Sequence, residues 1–182
     1  MADGSASDRD QLALQQWLQE AYGSAYPSRV QTEEAHWFNL PGWRFCFGSL
    51  EPAPSATFAV ALHEGRVLQG RAGLAEFVRD QDLYHHPDAI ALEKLAGIAM
   101  FFITRYGAGD AMLIANLTED ASSWRHEIQA VLHEPRMACQ DDGYLVEFWY
   151  VQRVLTRVSL RIGPTNEIEY HTQSIADLLP RD

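Results

Sequence analysis

Five side chains able to do chemistry recur at strand spacing near the C-terminus: Glu147, Trp149, Arg157, Arg161 and His171. Glu147 has Leu145 and Trp149 as its same-face neighbours. Apolar neighbours desolvate a carboxylate and raise its pKa, whereas Arg157 or Arg161 beside it would lower it. A glutamate or a histidine tuned in this way can act as a general base. Trp149 set against Arg157 offers a cation–π stack or a platform for a flat ligand. The same residues also make an ordinary sheet face with one Glu–Arg pair. The acid–base reading therefore has a condition: the residues must line a cavity, and no arginine may close off Glu147.

Other reactive residues form weaker patterns. His85-His86-Pro87-Asp88 places two imidazoles and an acid at a helix start, half of a metal site. Adjacent helical residues point about 100° apart, so two neighbouring histidines seldom share one ion. His-Glu dipeptides occur at 63–64, 126–127 and 133–134, without the HExxH spacing of zinc proteases. The reading assigns no metal and no cofactor. Cys46 and Cys139 lie in strand-like runs with no metal-type spacing. No G-x-S-x-G elbow and no glycine-rich phosphate loop is present, which disfavours doubly wound nucleotide-binding folds.

The five residues must be positioned by strands. Tyr144, Val146, Phe148 and Tyr150 alternate with Leu145, Glu147, Trp149 and Val151, so they form two rows on opposite faces. Thr156, Val158, Leu160 and Ile162 alternate with Leu155, Arg157, Ser159 and Arg161. Ile168, Tyr170 and Thr172 follow, after a turn at Gly163-Pro164-Thr165-Asn166-Glu167. A one-residue slip would flip every side chain, so the apolar rows fix the register. A five-residue loop pairs Ile162 with Ile168, Leu160 with Tyr170 and Arg161 with Glu169. A loop over Gln152–Val154 pairs Tyr144 with Ile162 and Phe148 with Val158, and keeps one face uniformly apolar. Asp141-Asp142-Gly143 closes the first hairpin in the same way, with Gly143 at the left-handed position.

A four-stranded antiparallel meander over 136–173 results. Its core face carries Tyr144, Val146, Phe148, Tyr150, Val158, Leu160, Ile162, Ile168 and Tyr170. Its second face carries Met137, Cys139, Leu145, Glu147, Trp149, Arg157, Ser159, Arg161, Glu169 and His171, and is the candidate ligand-binding surface.

Upstream, residues 1–8 read as a disordered tail, with Ser7 or Asp8 capping an amphipathic helix that ends at Gly23. Residues 24–36 read as irregular. Pro41-Gly42 turns the chain into a smaller meander over 43–70, with a two-residue turn at Glu64-Gly65. Leu74, Phe77, Val78 and Leu83 are helix-spaced, and His86-Pro87 breaks that helix. A helix over about 87–104 is apolar nearly all round, so it is buried and central; Gly107-Ala108-Gly109 follows it. Met112–Leu117 fits a short strand or a helix remnant. Residues 122–134 fit either a helix capped by Ser122 or Ser123, or a strand. Ile175–Leu179 reads as a terminal helical turn. The fold class is α+β: antiparallel sheet packed against a buried helix, as a single domain over 9–182.

Composition bounds the function. Of 182 residues, 47% are apolar, enough for a core. A net charge of −11 argues against non-specific nucleic-acid or anionic-membrane binding. No run is long and apolar enough to span a membrane, and no signal peptide is visible. Two isolated cysteines suit a reducing compartment, which places the protein in the cytoplasm. The reading chosen is a non-enzymatic acidic binding module whose partner is a protein, basic in character, or a second copy of the chain. The alternative is a small-molecule pocket or an acid–base enzyme using Glu147 and His171.

Overall fold

A computed structural model describes residues 4–23, 30–36, 38–50, 53–104, 112–117 and 126–175. The chain forms two compact units. One comprises Met1–Gly73 and Phe101–Ala108, the other Leu74–Met100 and Gly109–Asp182. The architecture is α+β with two antiparallel sheets.

In the first unit, α1 (Gly4–Tyr22) starts earlier than the sequence suggests. Residues 4–8, expected as a tail, are its first turns, so neither Ser7 nor Asp8 is the cap. Once a helix is nucleated, each added residue gains one hydrogen bond, which favours extension through such a segment. Gly23 ends the helix in the left-handed conformation, φ 54°, as expected of a C-terminal glycine. Four strands follow in the order β1 (Val30–Glu34), β2 (Trp43–Leu50), β3 (Ala53–His63), β4 (Arg66–Leu68). β1 lies where irregular chain was expected; its run Val-Gln-Thr-Glu-Glu has no alternation to announce it. It pairs along β2 as an exposed edge.

The register Phe45↔Ala61 and Cys46↔Val60 sorts this sheet into two faces. Cys46, Phe58, Val60 and Leu62 form one buried cluster with Leu18, against which Leu14, Trp17 and Tyr22 pack. The opposite face holds Trp43 and Phe45. Phe45 meets Phe101 edge-on at 5.3 Å between ring centroids, and Phe38 caps both. The turn between β3 and β4 has Glu64 and Gly65 both at positive φ, the two-residue hairpin geometry anticipated. Buried Asp10 reaches it from α1: Oδ1 accepts the Gly65 N–H at 2.7 Å.

The second unit contains most of α2 (Gly70–Asp80) and α3 (Leu92–Ile103). Both are shorter than the apolar spacing suggests. α2 stops at Asp80, before His86-Pro87, because Asp82 takes a left-handed conformation with φ 48°. α3 begins at Leu92 rather than near 87, since 81–90 fold as successive turns. Leu95, Ala96, Ile98, Ala99, Met100, Phe101 and Phe102 are all buried, as an all-round apolar helix requires. Gly107-Ala108-Gly109 lies outside the described residues.

The five-stranded sheet of this unit is β5 (Met112–Leu113), β6 (Arg136–Gln140), β7 (Gly143–Val151), β8 (Leu155–Ile162) and β9 (Ile168–Ser174). β7, β8 and β9 are consecutive neighbours, and β5 and β6 share the other edge of β7. A short helix, α4 (His126–Gln129), precedes β6, so the described part of 122–134 is helix followed by turn. Ser122 and Ser123 lie outside the described residues, as does all of the expected C-terminal turn after Ile175.

The register of the two later hairpins is as derived. Tyr144 pairs with Ile162, Val146 with Leu160 and Phe148 with Val158 across the Gln152–Val154 loop. Ile162 pairs with Ile168 and Arg161 with Glu169 across the next. Val146, Phe148, Val158, Leu160, Ile162 and Ile168 are buried, and Tyr144, Tyr150 and Tyr170 are half-buried.

The first hairpin differs. Gln140 pairs with Gly143, so the loop is only Asp141-Asp142, and Gly143 belongs to β7. Asp141, not Gly143, holds the positive φ of 52°. Aspartate tolerates this conformation through its short polar side chain. Gly143 is required for another reason: a Cβ there would lie 2.5 Å from the Ile162 carbonyl oxygen. The shift changes the parity of β6. Met137 and Cys139 pair with Val146 and Tyr144, on the core face. Arg136 and Ala138 replace them on the second face.

Candidate functional site

The second face consists of rows that cross the strands. Trp149, Arg157 and Gln173 form one row. Arg136, Glu147, Ser159 and His171 form the next. Ala138, Leu145, Arg161 and Glu169 form the third. All five residues singled out in the sequence, Glu147, Trp149, Arg157, Arg161 and His171, therefore share one face of one sheet.

Glu147 is the centre of the face. Arg136 grips its Oε2 with Nε at 2.9 Å and Nη2 at 2.6 Å. Ser159 donates its hydroxyl to Oε1 at 3.3 Å. Burial pushes the Glu147 carboxyl up, but the Arg136 hydrogen bonds and the charges of Arg136, His133 and Arg157 outweigh it. The carboxyl sits below the ordinary glutamate range. An arginine does close off Glu147, and it comes from β6 rather than from Arg157 or Arg161. Sequence reasoning missed Arg136 because one residue too many was assigned to the Asp141 loop. Asp141 as a left-handed residue was the signal that would have placed it.

Trp149 is not on a solvated face. It is 1% exposed, in a cluster with Ile114, Leu132 and Leu155. Leu117, Ile128, Val131, Val151 and Ile175 pack against that cluster. Val151 and Leu155 are on the same face as Trp149, so this end of the sheet is a second small core, covered by the segments that carry α4 and β5. The His133 ring meets the indole edge-on at 6.0 Å. Its Nδ1–H donates to the Glu134 carbonyl at 2.9 Å. Burial lowers the His133 pKa. Arg157 donates from Nη2 to Gln173 Oε1 on β9.

The other end of the face is open. Arg136 and Asp142 are well exposed, as are Glu169 and His171. Arg161 donates to Asp142 Oδ1 at 2.9 Å while facing Glu169 in the ladder. β9 is the outer strand of the sheet, and among the described residues no strand pairs with its far side.

The histidine pair at 85–86 is organised by Asp82, not Asp88. His85 Nδ1 lies 2.8 Å from Asp82 Oδ1, and His86 Nε2 lies 3.9 Å from Oδ2. Asn166 donates to Asp82 Oδ1 from Nδ2 at 2.8 Å. The same amide accepts the Tyr84 N–H through Oδ1 at 2.8 Å. His85, then Asn166, hold the Asp82 carboxyl below its usual range. The arrangement ties the 163–167 loop to the 81–86 turn. Among the described residues no group of three or more His, Cys, Asp or Glu is placed to hold a metal ion.

Both cysteines are free. Burial drives the Cys46 thiol up to about 11, so it is not a nucleophile at neutral pH. No helix among the described residues is long and apolar enough to cross a membrane. Compared with protein-family models, with curated proteins and with solved structures, the chain matches none.

Proposed function

We propose that the chain is a non-enzymatic binding module that engages a protein through the open end of the second sheet face and the neighbouring edge of β9. The observation that carries this reading is the Arg136–Glu147 clamp. Both oxygens of the candidate base are engaged, and its carboxyl is held ionised, which makes it a weak proton acceptor. This counts against the alternative, an acid–base enzyme using Glu147 and His171. What remains around the clamp is a rigid display of Arg136, Arg161, Glu169 and His171, the features of a polar interface rim. An unpaired strand edge also offers main-chain hydrogen bonds to an added strand. Free cysteines suit a reducing compartment, in keeping with a cytoplasmic location.

The test compares wild type with a double variant, Arg161→Glu and His171→Glu, in quantitative affinity capture. A partner held by wild type and lost by the variant is the expected result. An identical set of captured proteins would overturn the reading. Light scattering identifies one special case: a mass twice the 20.6 kDa of the chain makes the partner a second copy.

A further inference from the structure

The covered end of the second face holds three polar nitrogens that the fold leaves unmatched. Trp149 Nε1, Arg157 Nε and His133 Nε2 are all buried, and none has a hydrogen-bond partner among the described residues. They belong together. Arg157 stands directly opposite Trp149 in the ladder, and His133 contacts the Trp149 ring. A buried polar group left without a hydrogen-bond partner is costly, and more so when it is charged, so three in one place form an unusual concentration.

Their chemistry is specific. Trp149 Nε1 and Arg157 Nε are donors only. His133 gives its Nδ1–H to the Glu134 carbonyl, so its neutral ring presents a bare Nε2 and its protonated ring presents a third N–H. The charges facing His133 are Arg136 on β6, Glu147 on β7 and Arg157 on β8. Arg136 and Glu147 neutralise each other, which leaves the single positive charge of Arg157.

We infer that Trp149, Arg157 and His133 form a binding site for a small monovalent carboxylate, with Trp149 Nε1–H and Arg157 Nε–H as fixed donors and His133 as a donor acquired on protonation. The near-complete burial of Trp149 restricts the ligand to a small acid. Binding takes up a proton at His133, so affinity rises as pH falls towards the histidine range while the carboxylate remains ionised. This site is independent of the partner surface proposed above, because it lies at the covered end of the face, where Ile114 and Leu132 pack on Trp149, rather than at the open end.

The experiment is a titration of the full chain with sodium acetate, followed by the indole N–H resonances in nitrogen–proton correlation spectra. Trp149→Phe identifies the Trp149 signal by its loss. The expected result is a saturable shift of that signal, with affinity about tenfold higher at pH 6 than at pH 8. Arg157→Gln weakens binding at least about tenfold, and His133→Gln abolishes the pH dependence. Absence of a saturable shift in the wild-type protein overturns the inference, whether or not the variants fold. So does acetate binding that is unchanged in a folded Arg157→Gln protein.

Discussion

At the scale of single residues, Arg136 decides the character of the sheet face. Its two hydrogen bonds to a largely buried Glu147 make this pair stronger than the exposed Arg161–Asp142 pair. Arg136→Ala should cost about 1–2 kcal/mol in urea unfolding, and Arg161→Ala under about 1 kcal/mol. Because the folded-state pKa of Glu147 is depressed, its stabilisation is fully present above the unfolded-chain value of about 4.3. It is lost as the pH falls through the folded value. Arg136→Ala should therefore lose less stability on acidification than wild type does. The thiols give an independent check. With its pKa raised to about 11, buried Cys46 should stay unmodified by a thiol-specific disulfide reagent at pH 8, while exposed Cys139 reacts quickly. Stoichiometric modification of both in the native protein would contradict the burial of Cys46.

At the scale of elements, the β7–β8–β9 register was legible because two apolar rows allow only one pairing that keeps a face uniform. Phe148→Ala and Leu160→Ala should each destabilise by about 2–5 kcal/mol, and a loss under about 1 kcal/mol would remove them from the core. The β6 parity was not legible, because two devices that usually coincide are separated here. The left-handed residue is Asp141, and the glycine serves a close approach to Ile162. β1 was missed for a different reason: an exposed edge strand needs no apolar alternation. Helix ends were misplaced where a side chain caps a turn from far along the chain, as Asn166 does at Tyr84. The hairpin at Glu64-Gly65 was readable from its dipeptide, but its support by Asp10 was not, since 55 residues separate donor and acceptor. Asp10→Ala leaves the Gly65 N–H without its buried acceptor and should lower stability by about 1–3 kcal/mol in urea unfolding. An unchanged midpoint would show that the turn stands without α1.

At the scale of the whole molecule, the sequence reads as one domain because no linker-like composition interrupts it. The structure has two compact units, and the chain passes between them within α2 and within α3. For function, the sequence offered only a candidate face. The face chosen from Glu147, Trp149, Arg157, Arg161 and His171 is a real common face, but it has two environments: a covered core round Trp149 and an open polar display round the Glu147 clamp. Alternation in a single strand cannot separate these, because the covering segments are far away in sequence. The proposed binding role belongs to the open part, and the most direct test is affinity capture with the Arg161→Glu, His171→Glu protein beside wild type. The proposal predicts a partner retained by wild type and released by the folded variant. Capture of the same proteins by both would contradict it.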